Sequence, residues 1–454
     1  WHLGEGLWYD EITSLVKYAR APAGAILTTF DSQNQHLLYS LMAHGSIGAL
    51  GDTAWALRLP AVVFGVGSLW ATYWFGTLVT SKREALLAAA LLTVSYHHVW
   101  FSQNARGYTG LLFFTLVSTA LFVRLLRARE ARGWGLAIAY AAASALGAYT
   151  HTSAVFVTTA HFLVWAWLAW RARGHGLGTA AWLPLAGFVL AGTISIQLYA
   201  PVLPQLLVTA TKPTMSGVQT EWKNPLWFLA ESVRGLATGV PGGMVAIAGA
   251  SVVGGAGLVS YWRRSAPVVV VMLLPAFLTA TVMLLTEHNL WPRLFFFAAG
   301  FAVLIAVRGI YALAALALPP RALFAQRLAT AAIALLAIGS AAILPRAWRP
   351  KQDFVAARDF VESSRAAGDA VVAVDLTRFP YERWLATGWR TAASAAELEA
   401  IEAGHGRTWL VYTFPARLRA TEPDLWSRIQ GAYTPAAEFP GTVGGGAVIV
   451  MVRG

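Results

Sequence analysis

The sequence contains no cysteine. That excludes disulfides, thiolate metal sites and a cysteine nucleophile, and it leaves redox compartment unreadable. Charge is also scarce: only 12% of the 454 residues are Asp, Glu, Lys or Arg. A soluble domain carries about 25% charged residues, so a large cytosolic enzyme is excluded. Acids are the scarcer sign, 22 against 34 Lys and Arg, giving a net charge of +12. That balance suits a nucleic-acid binder, but most of the basic residues fall in short loops between apolar spans, where they set membrane topology, and no nucleic-acid partner is expected. No HExxH pattern, internal repeat or low-complexity tract is present beyond a general excess of alanine. No cleavable signal peptide opens the chain, which reaches an acidic loop within its first few residues.

What is present is hydrophobic residue in long runs, 57% of the chain, with 20 Trp and 14 Tyr to furnish two interfacial belts. A crossing takes about 20 mostly apolar residues. That length places helices near 56–79, 85–101, 107–127, 134–150, 153–171, 179–203, 239–262, 266–285, 293–316 and 327–345, about ten spans. Lys82, Arg83, Arg124, Arg127, Arg129, Arg132, Arg171, Arg173, Arg263, Arg264, Arg321 and Arg327 fall in alternate loops. The positive-inside rule assigns those loops to the cytoplasm. The opposite loops, 1–55, 102–106, 150–153, 204–238 and 286–292, hold Asp10, Glu11, Asp31, Asp52, Glu221 and Glu287 and face outward. Within residues 1–55, Ile12–Arg20 and Gln35–Leu50 read as interfacial amphipathic helices separated by Pro22 and Gly24.

The character changes after Pro345. Ordinary charge density returns, with strand-like runs at 370–376, 408–414 and 447–453 and helical stretches near 351–366 and 394–404. The expected architecture is an all-α polytopic membrane domain over 1–345, with residues 1–55 as its first outer loop. A small soluble α/β domain over 346–454 follows on the outer side.

The polar residues that could carry chemistry cluster at the outer ends of the spans. Asp10 and Glu11 lie in GLWYDEITSL, where a carboxylate could deprotonate a hydroxyl. Equally, two acids in the first turn of a helix favour its dipole. Arg106 and Tyr108 bracket Gly107 in SYHHVWFSQNARGY, where Gly107 permits close backbone approach. An outward arginine there could clamp an anionic headgroup, or simply snorkel from a helix end. His97 and His98 sit nearby and read as core residues. Arg293, in EHNLWPRLFFF, is a second outward arginine; pairing with Glu287 is its structural alternative. His36 and Tyr39 on the second interfacial helix, Gln103, Tyr108 and the loop residue His151 are possible site-lining groups. Lys212 and Lys223 in the long outer loop either help bind phosphate or are solvated. Asp10, Glu11, His36 and His151 are metal ligands by type, but no ligand spacing groups them and no metal or other cofactor is expected.

LWYDE, NQHLLYSL with ALRLPAVVFG, WFSQNARGY and WPRLFFF occur in this order across roughly residues 1–310. Together they resemble the GT-C superfamily of integral-membrane glycosyltransferases, of glycosyltransferase family 39 type. The similarity is to the branch containing protein O-mannosyltransferases and lipid A aminoarabinose transferases. The resemblance implies that Asp10 is the catalytic base, with Glu11 beside it, and that Arg106 and Arg293 bind the phosphate of a polyprenyl-phosphate sugar donor. It implies inverting transfer to a hydroxyl on a protein, lipid or glycan, at the periplasmic or extracellular face of a bacterial inner membrane. The sequence departs from the family in two places. Asn104 stands where QEAR has its acid, and the family's membrane helix before the acidic loop is not in the sequence; with it, an intact member would have eleven spans. Both departures point to the alternative of a non-catalytic structural subunit. A transporter is the less favoured alternative, since no charged residue or broken repeat is expected at mid-membrane depth.

Overall fold

The computed structural model describes residues 2–128, 130–172, 182–211 and 224–454. Arg129, Arg173, Lys212, Glu221 and Lys223 lie outside the described residues. Each expected span carries a helix: α4 (Ala54–Val79), α5 (Lys82–Thr93), α6 (Tyr96–Ser102), α7 (Tyr108–Leu125), α8 (Glu130–Thr150), α9 (Ala154–Arg171), α10 (Trp182–Tyr199), α13 (Gly243–Arg264), α14 (Ala266–Leu285), α15 (Ala299–Ala317) and α16 (Ala322–Ile343). The shorter outer-side helices are α1 (Tyr9–Thr13), α2 (Ala23–Thr28), α3 (Leu37–Leu50), α11 (Leu203–Thr211) and α12 (Pro225–Thr238).

Among the described residues, seven helical segments are long and apolar enough to cross a membrane, or eight if the bent pair α5–α6 counts as one. The helices α8 and α9 form where expected, but Gly and Ser dilute the first, while His161, Arg171 and three tryptophans temper the second. The expected straight span at 85–101 is instead two helices meeting at 62°. Ser95 caps the second by accepting from the backbone N–H of His98. The lipid-facing surfaces are openly apolar: Val245, Leu285 and Leu316 are more than three-quarters exposed, which in water would be an aggregation liability.

A charged pair joins three of the helices. Arg308 lies within α15 and donates to Glu84 of α5 at 2.9 and 3.1 Å and to Ser260 of α13 at 2.9 Å. Ser81 caps α5 by accepting from the Glu84 backbone N–H and donates its hydroxyl to the Glu84 carboxylate. A paired, hydrogen-bonded charge of this kind is how a bilayer-embedded arginine is tolerated.

The first of the two expected interfacial helices is covered by protein. The helix α1 runs on through a π-helical turn, Ser14–Ala19, and its apolar residues Ile12, Leu15 and Ala19 are buried against Phe354, Val361 and Tyr381 of the C-terminal region. An amphipathic stripe reads the same whether lipid or protein covers it, and here protein does.

After α17 (Phe354–Ser364), the C-terminal region forms a five-stranded sheet of order β2-β1-β3-β5-β4, with β1 (Ala370–Val374), β2 (Arg390–Ala392), β3 (Thr408–Thr413), β4 (Thr434–Phe439) and β5 (Val448–Arg453). The strand β1 pairs in parallel with β2 and β3, while β5 runs antiparallel to β3 and β4. Parallel pairing needs a crossover, supplied between β2 and β3 by α18 (Ala395–Ala403). The continuous runs AVVAV and TWLVYT are buried on both faces, as central strands require. The short β2 and the half-exposed β4, with its bulge at Pro435–Ala437, carry too weak an apolar signal to be expected from sequence. The same holds for the helices α19 (Pro415–Thr421) and α20 (Pro423–Ala432), which lie between β3 and β4.

Candidate active site

Helix ends on one face of the bundle converge on Asp10. Trp8 is extended and ends the approach to α1, so Asp10 and Glu11 occupy its first turn. Their side chains have different surroundings. Asp10 Oδ2 lies 3.2 Å from Arg106 and 3.2 Å from Arg293. These guanidinium groups come from residues 96 and 283 positions further along the chain, and Arg293 pairs with Asp10 where Glu287 was the local alternative. The Arg106 side chain is 2% exposed and the Arg293 side chain 34%, so the site opens on the Arg293 side. Arg106 also donates to Asn34 Oδ1 and lies over the Tyr108 ring, 5.7 Å from its centroid; Arg293 lies over Trp291 at 5.1 Å.

Glu11 is fully buried and engaged on both oxygens. Arg58 donates to it from Nε at 2.8 Å and from a terminal nitrogen at 2.6 Å, and Ala105 donates its backbone N–H at 2.8 Å. Burial pushes this carboxyl up, but Arg58, Lys351 and the Ala105 amide together hold it below its ordinary value. Arg58 also donates to the carbonyls of Leu3, Glu5 and Gly6. Glu11 thus ties the acidic loop to α4 and to the Arg106 segment.

His36 and His151 lie tilted against each other near this cluster with ring centroids 4.8 Å apart, and Tyr108 contacts both. His36 Nδ1 must donate, because its partner is the Thr150 carbonyl at 3.2 Å; His151 Nδ1 must accept, because its partner is the Ser153 N–H at 3.2 Å. Burial, then the Arg106 charge, lowers both pKa values, His151 to about 3 and His36 well below its ordinary value. Both rings are therefore neutral at physiological pH. Gly107 permits the close approach expected of it: a Cβ there would lie 2.7 Å from the Thr150 carbonyl oxygen and 3.1 Å from His36 Nδ1.

The other expected site residues are placed as follows. Tyr39 is buried within electrostatic reach of Glu11, Arg58 and Arg106 and donates to the Leu57 carbonyl at 2.6 Å, joining α3 to α4. Gln103 takes part through its carbonyl, which accepts from Lys351. His98 bonds the Gly65 carbonyl at 3.1 Å, and His97 packs against the turn at Gly239. Asn104, in place of the family's acid, accepts from Trp8 Nε1 at 3.2 Å. Among the described residues, no three His, Asp or Glu side chains group as a metal site, and Glu11 is committed to Arg58.

Sequence reading missed Arg58, Asn34, Lys351 and Gln352. Arg58 had a signal, a charge in the first turn of an apolar span. The others had none, because they meet the site only through the tertiary fold.

A carboxylate and paired guanidinium groups thus stand at one face of a helical bundle under an α/β cap, a fold shared with solved structures. Residues 43–202 match the family model described as dolichyl-phosphate-mannose-protein mannosyltransferase. The chain is similar to the crystal structure of ArnT from Cupriavidus metallidurans bound to undecaprenyl phosphate, at TM-score 0.54 and 13% identity, covering 98% of this chain and 92% of that one. It is also similar to the Archaeoglobus fulgidus oligosaccharyltransferase tethered to an acceptor peptide, at TM-score 0.52 and 12% identity, covering 98% and 70%. None of the curated proteins matches the chain.

Proposed function

We propose that the protein transfers a sugar from a polyprenyl-phosphate donor to a hydroxyl acceptor at the outer face of the membrane, with inversion at the anomeric carbon. The observation that carries this reading is the single Asp10 oxygen 3.2 Å from both Arg106 and Arg293. It is supported by the undecaprenyl phosphate bound to the similar ArnT and the acceptor peptide on the similar oligosaccharyltransferase.

The donor phosphate competes with Asp10 for the guanidinium groups. Once they turn to the phosphate, the carboxylate is released to take the acceptor proton. The acceptor oxygen attacks the anomeric carbon in line, the carbon–oxygen bond to phosphate breaks, and its electron pair passes to the phosphate oxygen. Arg106 and Arg293 stabilise that growing charge in a site largely closed to water. General-base catalysis by Asp10 is worth on the order of 10²–10⁴ in rate. Glu11 positions the loop and stays ionised. The residues from 346 onward form the outer domain, and the Lys- and Arg-rich loops face the cytoplasm.

The test is transfer by the purified protein in liposomes containing a polyprenyl-phosphate sugar, with mass spectrometry of the lipids that copurify. Asp10→Asn abolishes transfer, while Arg106→Ala and Arg293→Ala weaken binding of undecaprenyl phosphate. An Asp10→Asn protein that transfers at the normal rate relocates the base. Normal affinity in both arginine variants removes the phosphate assignment.

A further inference from the structure

Lys351 is 6% exposed, yet no step above uses it. It follows the last membrane helix by a few residues and turns back under the Arg106 segment. Its Nζ donates to the Gln103 carbonyl at 2.8 Å and lies over the Trp100 ring, 5.0 Å from the centroid. Its neighbour Gln352, also buried, accepts from the backbone N–H of Tyr9 at 3.1 Å and donates to Thr413 of β3 at 3.0 Å. Adjacent residues of one strap therefore grip the chain one position before Asp10 and three positions before Arg106. The strap is itself held. Thr442 and Val443 donate their backbone N–H groups to the carbonyls of Pro350 and Lys351 at 2.9 and 3.2 Å, and Trp100 Nε1 donates to Thr442 Oγ1 at 2.9 Å. The Gly441 backbone lies so close to Lys351 that a Cβ there would be 2.1 Å from its carbonyl oxygen. Residues 103–107 have no regular secondary structure of their own. Their placement depends on such outside contacts.

We infer that Lys351 and Gln352 are positioning residues that fix Asp10 relative to Arg106, so that the C-terminal α/β unit is a frame for the catalytic site. The kinetic consequence rests on the transferase reading; the positioning does not. Lys351 is desolvated by burial, which lowers its pKa to about 8 against the attraction of Glu11 and with the repulsion of Arg58. Its charge is lost as pH rises through that value, and the grip on Gln103 weakens with it.

The experiment is hydrogen exchange on the full chain in detergent, followed through peptides covering 8–13 and 103–107, together with transfer kinetics. Gln352→Ala speeds exchange of the Tyr9 amide by about tenfold or more, and Lys351→Met does the same for the Ala105 amide. Both lower kcat about 100-fold, the cost of an ångström of misplacement, with the KM for the lipid donor changed only a few-fold. Lys351→Arg, which keeps its charge, restores exchange protection and extends activity above pH 8. Unchanged exchange in both variants overturns the inference. So does a loss of kcat that comes with general destabilisation and is not restored by arginine. If the wild-type protein transfers no sugar, the exchange result still decides the positioning, and only the transferase reading falls.

Discussion

Replacing Arg58 with methionine tests how the acidic loop is held. The substitution roughly preserves volume but strands Glu11, which has no exposed surface and loses both donors from the guanidinium. The carbonyls of Leu3, Glu5 and Gly6 lose their donor as well. Breaking one side of a buried ion pair costs about 3–5 kcal/mol. In a chain of this size that lowers the melting temperature on the order of 3–5 °C, measured by tryptophan fluorescence in detergent. The pH dependence has a definite sign. In the wild-type protein the folded Glu11 pKa lies below its unfolded value of about 4.3, so its contribution is present above that pH and is lost as pH falls toward the folded pKa. Without Arg58, burial dominates and raises the folded pKa above the unfolded one. The variant is then least penalised in acid, and the gap between the two melting curves narrows as pH falls toward about 4. The double variant Glu11→Gln with Arg58→Met removes both charges and recovers a substantial part of the loss, because the stranded charge and not the missing attraction is the main penalty. A double variant no more stable than Arg58→Met alone refutes the reasoning, as does a single variant that melts normally.

Gly107→Ala forces a Cβ against the Thr150 carbonyl and His36, costing about 1–3 kcal/mol by overpacking, and shifts Arg106 enough to weaken undecaprenyl phosphate binding. Isothermal titration and a melting curve on the same sample check both effects. His151, held near pKa 3 by burial, makes the folded state progressively less stable as pH falls from about 6.5 toward 3, since the unfolded chain takes the proton first. His151→Gln gives a shallower decline of melting temperature across that window.

The order and position of the membrane helices were legible because each is an apolar run of the necessary length between loops of alternating charge. The bend after Thr93 was not, since the apolar run continues through it and only the cap at Ser95 marks the turn. Strands β1, β3 and β5 announced themselves as Val-rich runs, whereas β2 and β4 pair by adjacency and carry little apolar signal. The interfacial reading of α1 failed for a related reason: a stripe of Ile12, Leu15 and Ala19 states that something apolar covers it, but not what.

The sequence by itself determined that this is a membrane protein and which polar residues stand at the ends of its spans, because length, hydropathy and charge act locally. Only the tertiary structure decided how those residues divide the work. It brought Arg106 and Arg293 to one oxygen of Asp10, committed the neighbouring Glu11 to Arg58, and delivered Lys351 from beyond the last span. Electrostatic pairing depends on distance in space, and no spacing along the chain encodes a contact across hundreds of residues.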